Sequence, residues 1–352
     1  MRICIVCFAN IRVMPFIHNY THILKENNLT YDIILWNRSG LKETYDCNKI
    51  YEYNKIMKDD LPLIKKFPLM LSFANYANII LKKNKYDYII MLTSLPAVMQ
   101  SLYLLSKAKR RYILDIRDYT YERIPMYKFL LYLLMKNSLL NVVSSKSFVS
   151  FLPYSKVLLN HNCPYEGIGD YTLKKNNRVI HVSFVGLIRF ADEVEKFLDQ
   201  IRNDDRFIFD FYGTGMDENR LKNYCEKNEI KNVNFYGAYS PDMKSSILEQ
   251  SDILFNAYGT QLSLRYAISN KYYDALYYKK PLIVCKGTSM ETNSEGISFA
   301  VEYKRDVSDK LYHWYHSLDE NTFNERANTL LKEAIQENKR FNQTIEKKLL
   351  RQ

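Results

Sequence analysis

Glycine is scarce, with ten residues in 352, and none of them form G-x-G-x-x-G or a Walker A lysine loop. A dinucleotide fingerprint and a P-loop are thereby excluded. No G-x-S-x-G and no Ser-His-Asp order can be read, which removes the common hydrolase triads. No D-x-D closes an apolar run, so no metal and no other cofactor is called for. Six cysteines are scattered along the chain. Only Cys4 and Cys7 have C-x-x-C spacing, and they lie in the apolar run RICIVCF with no second Cys or His pair to complete a zinc set. They read as buried thiols of a first strand. No signal-peptide pattern opens the sequence, so a reducing, cytoplasmic setting is expected. The longest apolar stretch, residues 126–143, is interrupted by Lys128 and Lys136 and is not expected to span a bilayer.

Against these absences stands a strong charge asymmetry. The net charge is +11. Residues 1–165 carry 23 Lys+Arg and 11 Asp+Glu, or +12, and residues 166–352 carry 27 and 28, or −1. A basic half beside a neutral half points to an anionic partner. No nucleic-acid recognition motif accompanies the charge, so nucleic acid is not expected.

The patterning is that of an α/β chain. Continuous apolar strands such as RICIVCF, YDIILW, YDYIIMLTS and RRYILDIRD alternate with helical periods, the sign of a parallel, doubly wound sheet. Residues 160–177 collect Asn, Pro and Gly with little periodicity. The rhythm then restarts with VIHVSFVG, RFIFDFYGTG, NVNFYG and DILFNAY. Two Rossmann-like domains facing a cleft are expected: residues 1–162 for the acceptor and 178–320 for the donor. A linker at 163–177 joins them, and a helical tail at 321–352 can pack back on the first domain.

Ligands of such sheets bind beyond the carboxyl ends of the strands. Gly186 ends FVGLIRF and places Arg189, a planar donor for phosphate, before the next helix N-terminus; a solvated surface arginine is the plain alternative. Gly213 and Gly215 in FYGTG can admit a ligand close to backbone amides or simply make a tight turn. Ser269 and Asn270 are N-cap candidates of the helix SNKYYDALYYKKP. Lys271 in its first turn runs against the helix dipole, a penalty an anion would remove. Asp274 can accept from a diol or pair with Lys271 three residues away. In the first half, Asp115 and Asp118 close a strand, as acceptor-orienting groups or as salt-bridge partners of Arg117 or Arg123. Asn10 and Arg12 stand in the first strand-to-helix loop. His18 and His22 read as ordinary helix residues.

Taken together, VSFVGLIR, FDFYGTG, NVNFYGAY, SDILFNAY, SNKYYDALYYKKPLIV and the D-x-R-D segment LDIRDYTYE resemble the family-four-like glycosyltransferases of GT-B fold that build capsule, O-antigen and other bacterial surface polysaccharides. The resemblance covers most of the chain. It implies sugar transfer from a nucleoside-diphosphate sugar to a saccharide acceptor on a polyprenyl diphosphate lipid, with retention of configuration and no metal. It implies that Asp274, seven residues before Pro281, binds the ribose, that Arg189 and Lys271 face the diphosphate, and that Asp118 or Asp115 orients the acceptor. The sequence departs from the family where Tyr266 replaces the first Glu of E-x7-E and where FANIRV replaces a glycine-rich loop. The basic first half and the helix near residues 126–140 fit peripheral docking to the anionic inner face of a plasma membrane, with core packing as the alternative for that helix. The rival readings are a nucleotide-sugar epimerase of the same fold and a non-catalytic partner subunit.

Overall fold

A computed structural model describes residues 1–58, 61–175, 179–303 and 306–350. The chain divides into two compact units, one of residues 1–161 and 337–352, the other of residues 162–336.

The first unit is a seven-stranded, all-parallel sheet of order β3-β2-β1-β4-β5-β6-β7. Its strands are β1 (Ile3–Cys7), β2 (Tyr31–Asn37), β3 (Lys49–Asn54), β4 (Tyr88–Leu92), β5 (Tyr112–Ile116), β6 (Leu140–Val143) and β7 (Leu158–Leu159). Strands β1, β2, β4 and β5 are buried at every position, as apolar runs covered on both faces must be. Helix α1 (Ile17–Glu26) follows β1. Helices α2 (Leu63–Asn84), α3 (Ser94–Met99), α4 (Ser101–Lys107) and α5 (Pro125–Asn137) connect β3 through β6. Cys4 and Cys7 are fully buried in β1, and burial pushes both thiols up. The edge strand β3, KIYEYN, is absent from the sequence reading. Its pattern is mostly half-exposed, and it carries no apolar run to announce it.

The second unit is a six-stranded parallel sheet of order β10-β9-β8-β11-β12-β13. In chain order it runs β8 (Ile180–Val185), α6 (Ala191–Gln200), β9 (Phe207–Tyr212), α7 (Glu218–Lys227), β10 (Val233–Gly237), α8 (Lys244–Gln250), β11 (Ile253–Asn256), α9 (Leu262–Arg265) and α10 (Asn270–Tyr278). It closes with β12 (Leu282–Cys285), α11 (Ser289–Asn293), β13 (Ser298–Val301), α12 (Val307–Ser317) and the long helix α13 (Glu320–Leu350). One sheet face packs Phe184, Phe209, Phe211 and Phe255 against α6 and α7. The other packs Val185, Leu254 and Val284 against α8, α10 and α13. In each sheet the strand order reverses beside the first strand of the unit, at β1/β4 and at β8/β11, which is where doubly wound sheets hold ligands.

The expected linker at 163–177 is coil where it is described, and residues 176–177 lie outside the described residues. The end of α13 belongs to the first unit: Phe341, Ile345 and Leu349 are buried in the cluster around β1 and α1.

Candidate functional site

The carboxyl edge of the second sheet is built from three loops. The loops after β8 and β9 run against each other. The Gly186 amide donates to the Tyr212 carbonyl at 2.7 Å, and the Ile188 amide to the Thr214 carbonyl at 3.0 Å. A Cβ on Gly213 would lie 1.9 Å from the Gly186 carbonyl oxygen, and one on Gly215 would lie 2.0 Å from that of Ile188. These two glycines are therefore bare for the sake of backbone-on-backbone packing. The expectation that they open amides to a ligand is corrected: the space a side chain would need is filled by the neighbouring loop.

The helix start after Arg189 also differs from expectation. The α6 N-terminus carries Asp192 and Glu193 in its first turn, and its Ala191 amide donates to Asp217 at 3.0 Å. That end is occupied by carboxylates, with Asp192 paired to Arg220 and Glu193 to Lys196. The anion-ready end is that of α10, whose first turn holds no acid. Ser269 occupies the N-cap position, but its hydroxyl donates to Asn256 Oδ1 at 2.8 Å instead of capping the helix. Asn270 is exposed.

Lys271 is the central group. Its ammonium lies 4.9 Å from the centre of the Phe184 ring and 5.1 Å from that of Tyr258. Gly186 lies beside it, in the positive-φ conformation of +115° that favours glycine. Phe190 stacks on Tyr258 at 5.1 Å, and the Arg189 guanidinium lies over Phe190 at 4.8 Å. Two cations thus bracket a short aromatic stack. Burial pushes the Lys271 pKa down to about 7; Asp274 opposes this, while the Arg189 and Lys244 charges push it further down. Three cations face one carboxylate here, an excess that a dianion would balance.

That carboxylate is Asp274, 4% exposed. The expected pairing with Lys271 across one helix turn is not its contact. Asp274 Oδ1 instead accepts from Lys244 Nζ at 2.8 Å and from the Tyr165 hydroxyl at 2.6 Å. Tyr165 stacks face to face on Tyr277 at 4.0 Å, which fixes its ring. Sequence reasoning missed Lys244, Tyr165 and Asn256. Only Asn256 left a signal, as the polar residue that closes the apolar run of β11. It is 3% exposed, and its Nδ2 has no partner among the described residues.

The sites expected in the first unit separate. Asp115 is fully buried and is corrected from a catalytic candidate to a structural one. Its carboxylate takes both Nε and Nη2 of Arg117, at 2.6 and 2.7 Å, and the Tyr20 hydroxyl at 2.7 Å. Arg117 continues to the Asn160 carbonyl at 2.8 Å. Asp118, three residues on, is exposed. Asn10 is likewise corrected. Its Nδ2 donates to Asn37, and its Oδ1 accepts the amides of Arg38 and Ser39, so it ties the end of β1 to the loop after β2. Arg12 is exposed, and its amide donates to Glu43. His18 bonds the Tyr45 hydroxyl at 2.8 Å, and His22 pairs with Glu26 on its own helix. Tyr266 follows α9 as its C-cap. Among the described residues, no group of three or more His, Cys, Asp or Glu could hold a metal ion.

No family model and no curated relative matches the sequence. Solved structures do. Sucrose-phosphate synthase from Thermosynechococcus elongatus superposes with a TM-score of 0.72 at 9% identity, over 99% of this chain and 98% of that one. HepE of Anabaena, solved with UDP, gives 0.67 at 11% identity over 98% and 100% of the two chains. The lipopolysaccharide outer core galactosyltransferase WaaB gives 0.61 at 13% identity over 99% and 100%. With two parallel-sheet Rossmann-like domains and these neighbours, the chain has the GT-B fold.

Proposed function

We propose that the chain is a glycosyltransferase that moves a sugar from a nucleoside-diphosphate sugar to a saccharide acceptor. The observation that carries this reading is the excess of cations at the carboxyl edge of the second sheet. Arg189 and Lys271 stand with the acid-free N-terminus of α10 where a diphosphate would be held. HepE, one of the structural neighbours, has been solved with UDP-glucose, which favours the same donor class here.

In this reading Arg189, Lys271 and the first-turn amides of α10 stabilise the negative charge that develops on the leaving diphosphate. Asp274, steadied by Lys244 and Tyr165, takes the ribose hydroxyls through its second oxygen. Asn256 lends its unpartnered Nδ2 to the same edge. The first unit takes the acceptor, with Asp118 orienting its hydroxyl. Transfer proceeds with retention, without a metal, in bacterial surface polysaccharide synthesis. The acceptor is a saccharide on a polyprenyl diphosphate lipid, and the protein is held peripherally at the inner face of the plasma membrane. The basic first half supports that last part.

The test is a thermal-shift screen over nucleoside diphosphates, checked by calorimetry. A ligand at a hundred times its Kd stabilises by about 2.7 kcal/mol, so the melting temperature of the second unit rises by several degrees. Silence in both measurements at saturating UDP and GDP overturns the proposal.

A further inference from the structure

We propose that the site reads only one hydroxyl of the donor's ribose, so that a nucleoside diphosphate lacking the other hydroxyl is accepted as well as the parent. The inference rests on the transferase reading and narrows it from the ribose diol to a single hydroxyl.

A carboxylate that grips both hydroxyls of a vicinal diol offers one oxygen to each. Half of that capacity in Asp274 is taken by its own chain. Its Oδ1 accepts from Lys244 Nζ at 2.8 Å and from the Tyr165 hydroxyl at 2.6 Å, which fills both lone pairs of that oxygen. Oδ2 accepts no hydrogen bond from the described residues, so it alone is left for a ligand. Two neighbouring hydroxyls on one ring subtend too narrow an angle at a single oxygen to use both of its diverging lone pairs. One hydroxyl is therefore held well, and the other is left to water.

The occupied oxygen is closed by a rigid assembly. The Tyr165 ring lies flat on Tyr277, with centroids 4.0 Å apart and an interplanar angle of 8°, and meets Tyr278 edge-on at 6.3 Å. Tyr171 leans on both of those rings, at 5.6 and 4.6 Å. Gly169 makes room for this pile: a Cβ there would lie 2.8 Å from the Tyr171 ring and 2.9 Å from that of Tyr277. Four tyrosines thus fix the one hydroxyl that closes Oδ1. Burial and the Asp274 charge push the Tyr165 pKa up, so the phenol keeps its proton and donates it to the carboxylate. The second donor, Lys244, is the first residue of α8.

A site rejects an analogue strongly when the missing hydroxyl leaves one of its own polar groups unpaired. Oδ2 is left unpaired only when the hydroxyl it holds is absent. Loss of the neighbouring hydroxyl leaves no carboxylate oxygen without its partner.

The experiment is calorimetry of the full chain with UDP, 2′-deoxy-UDP and 3′-deoxy-UDP, and with the same three guanosine nucleotides. One monodeoxy analogue should bind within about twofold of its parent and the other should be weaker by roughly tenfold to a hundredfold, as for a lost hydrogen bond to a charged group. Tyr165→Phe keeps the ring stack and removes only the donor. It opens a lone pair of Oδ1, so the tolerated analogue should then fall behind its parent by about threefold or more. A purely structural role for Tyr165 would weaken parent and analogues alike and leave their ratios unchanged. Comparable losses for both monodeoxy analogues overturn the proposal, as does no loss for either, or a set of ratios that Tyr165→Phe leaves where it was. Silence from every nucleotide overturns the transferase reading and this inference with it.

Discussion

The two sheets share one architecture but finish their carboxyl edges in opposite ways. In the first unit the polar groups at the strand ends neutralise one another. Asp115 holds Arg117 and Tyr20, and Asn10 holds three backbone or side-chain partners. In the second unit the strand ends keep an imbalance, with Arg189, Lys244 and Lys271 around a single Asp274. A satisfied edge stabilises the fold; an unbalanced one leaves charge that a ligand would balance. A carboxylate at a strand end is no guide to chemistry until its partners are known.

Three experiments separate the two edges. The largest effect is expected from Arg117→Ala, which strands Asp115 as an unpaired buried charge. Removing one partner of a buried pair costs about 3–5 kcal/mol. Chemical denaturation should show this loss in the first unit, with nucleotide binding by the second unit unchanged. If stability barely moves, the first edge is not a closed structural network.

Gly213→Ala comes next. The substitution must fit a methyl group 1.9 Å from a carbonyl oxygen at a φ of +131°. Strain and overpacking of this kind cost on the order of 1–3 kcal/mol. Because the loop after β9 also carries the loop after β8, nucleotide affinity should fall together with the melting temperature.

Lys271→Met gives the smallest effect on the fold and the most diagnostic one on binding. A lost hydrogen bond to a charged group is about 1.5–3 kcal/mol, so nucleoside diphosphate affinity should drop by roughly tenfold to a hundredfold by calorimetry. Stability of the free protein should hold or rise, because a crowded cation is removed. The pH dependence of the wild type checks the same point. The folded pKa of Lys271, about 7, lies below the unfolded lysine value of about 10.4. Its contribution to the stability of the free protein is therefore unfavourable below pH 7 and is relieved as pH rises from about 7 toward 10. Binding of a dianion reverses the shift and takes up a proton at pH 8. Affinity should then fall from pH 6 to pH 9 in wild type and stay flatter in Lys271→Met.

The fold class was legible because its strands are covered on both faces and so appear as unbroken apolar runs. What escaped was β3, an edge strand whose half-exposed residues make no run. At the carboxyl edge of the second sheet, Arg189, Lys271 and Asp274 were legible as positions, because they follow strands or open a helix. Their partners were not. The Lys271–Asp274 spacing suggested a local pair, whereas the partners of Asp274 come from 30 and 109 residues away. Glycines raised the same difficulty: Gly213 and Gly215 stand where backbone comes close, but sequence alone does not say whether a ligand or another loop is the neighbour. Asp115 and Asp118 look equivalent in LDIRD. Only the strand's geometry sends one inward to Arg117 and leaves the other in solvent.

Helix α13 has a consequence for how this chain is made. Phe341 packs edge-on against Tyr20 at 5.3 Å, and Ile345 and Leu349 fill the same cluster as β1 and α1. Glu337 and Asn338 bond His161, where the chain leaves the first unit. Strand β1 and helix α1 therefore wait for α13, which is made much later. Until the end of α13 leaves the ribosome, the apolar side of α1 lacks its cover, while the second unit already has all of its strands. The first unit begins first and is completed last.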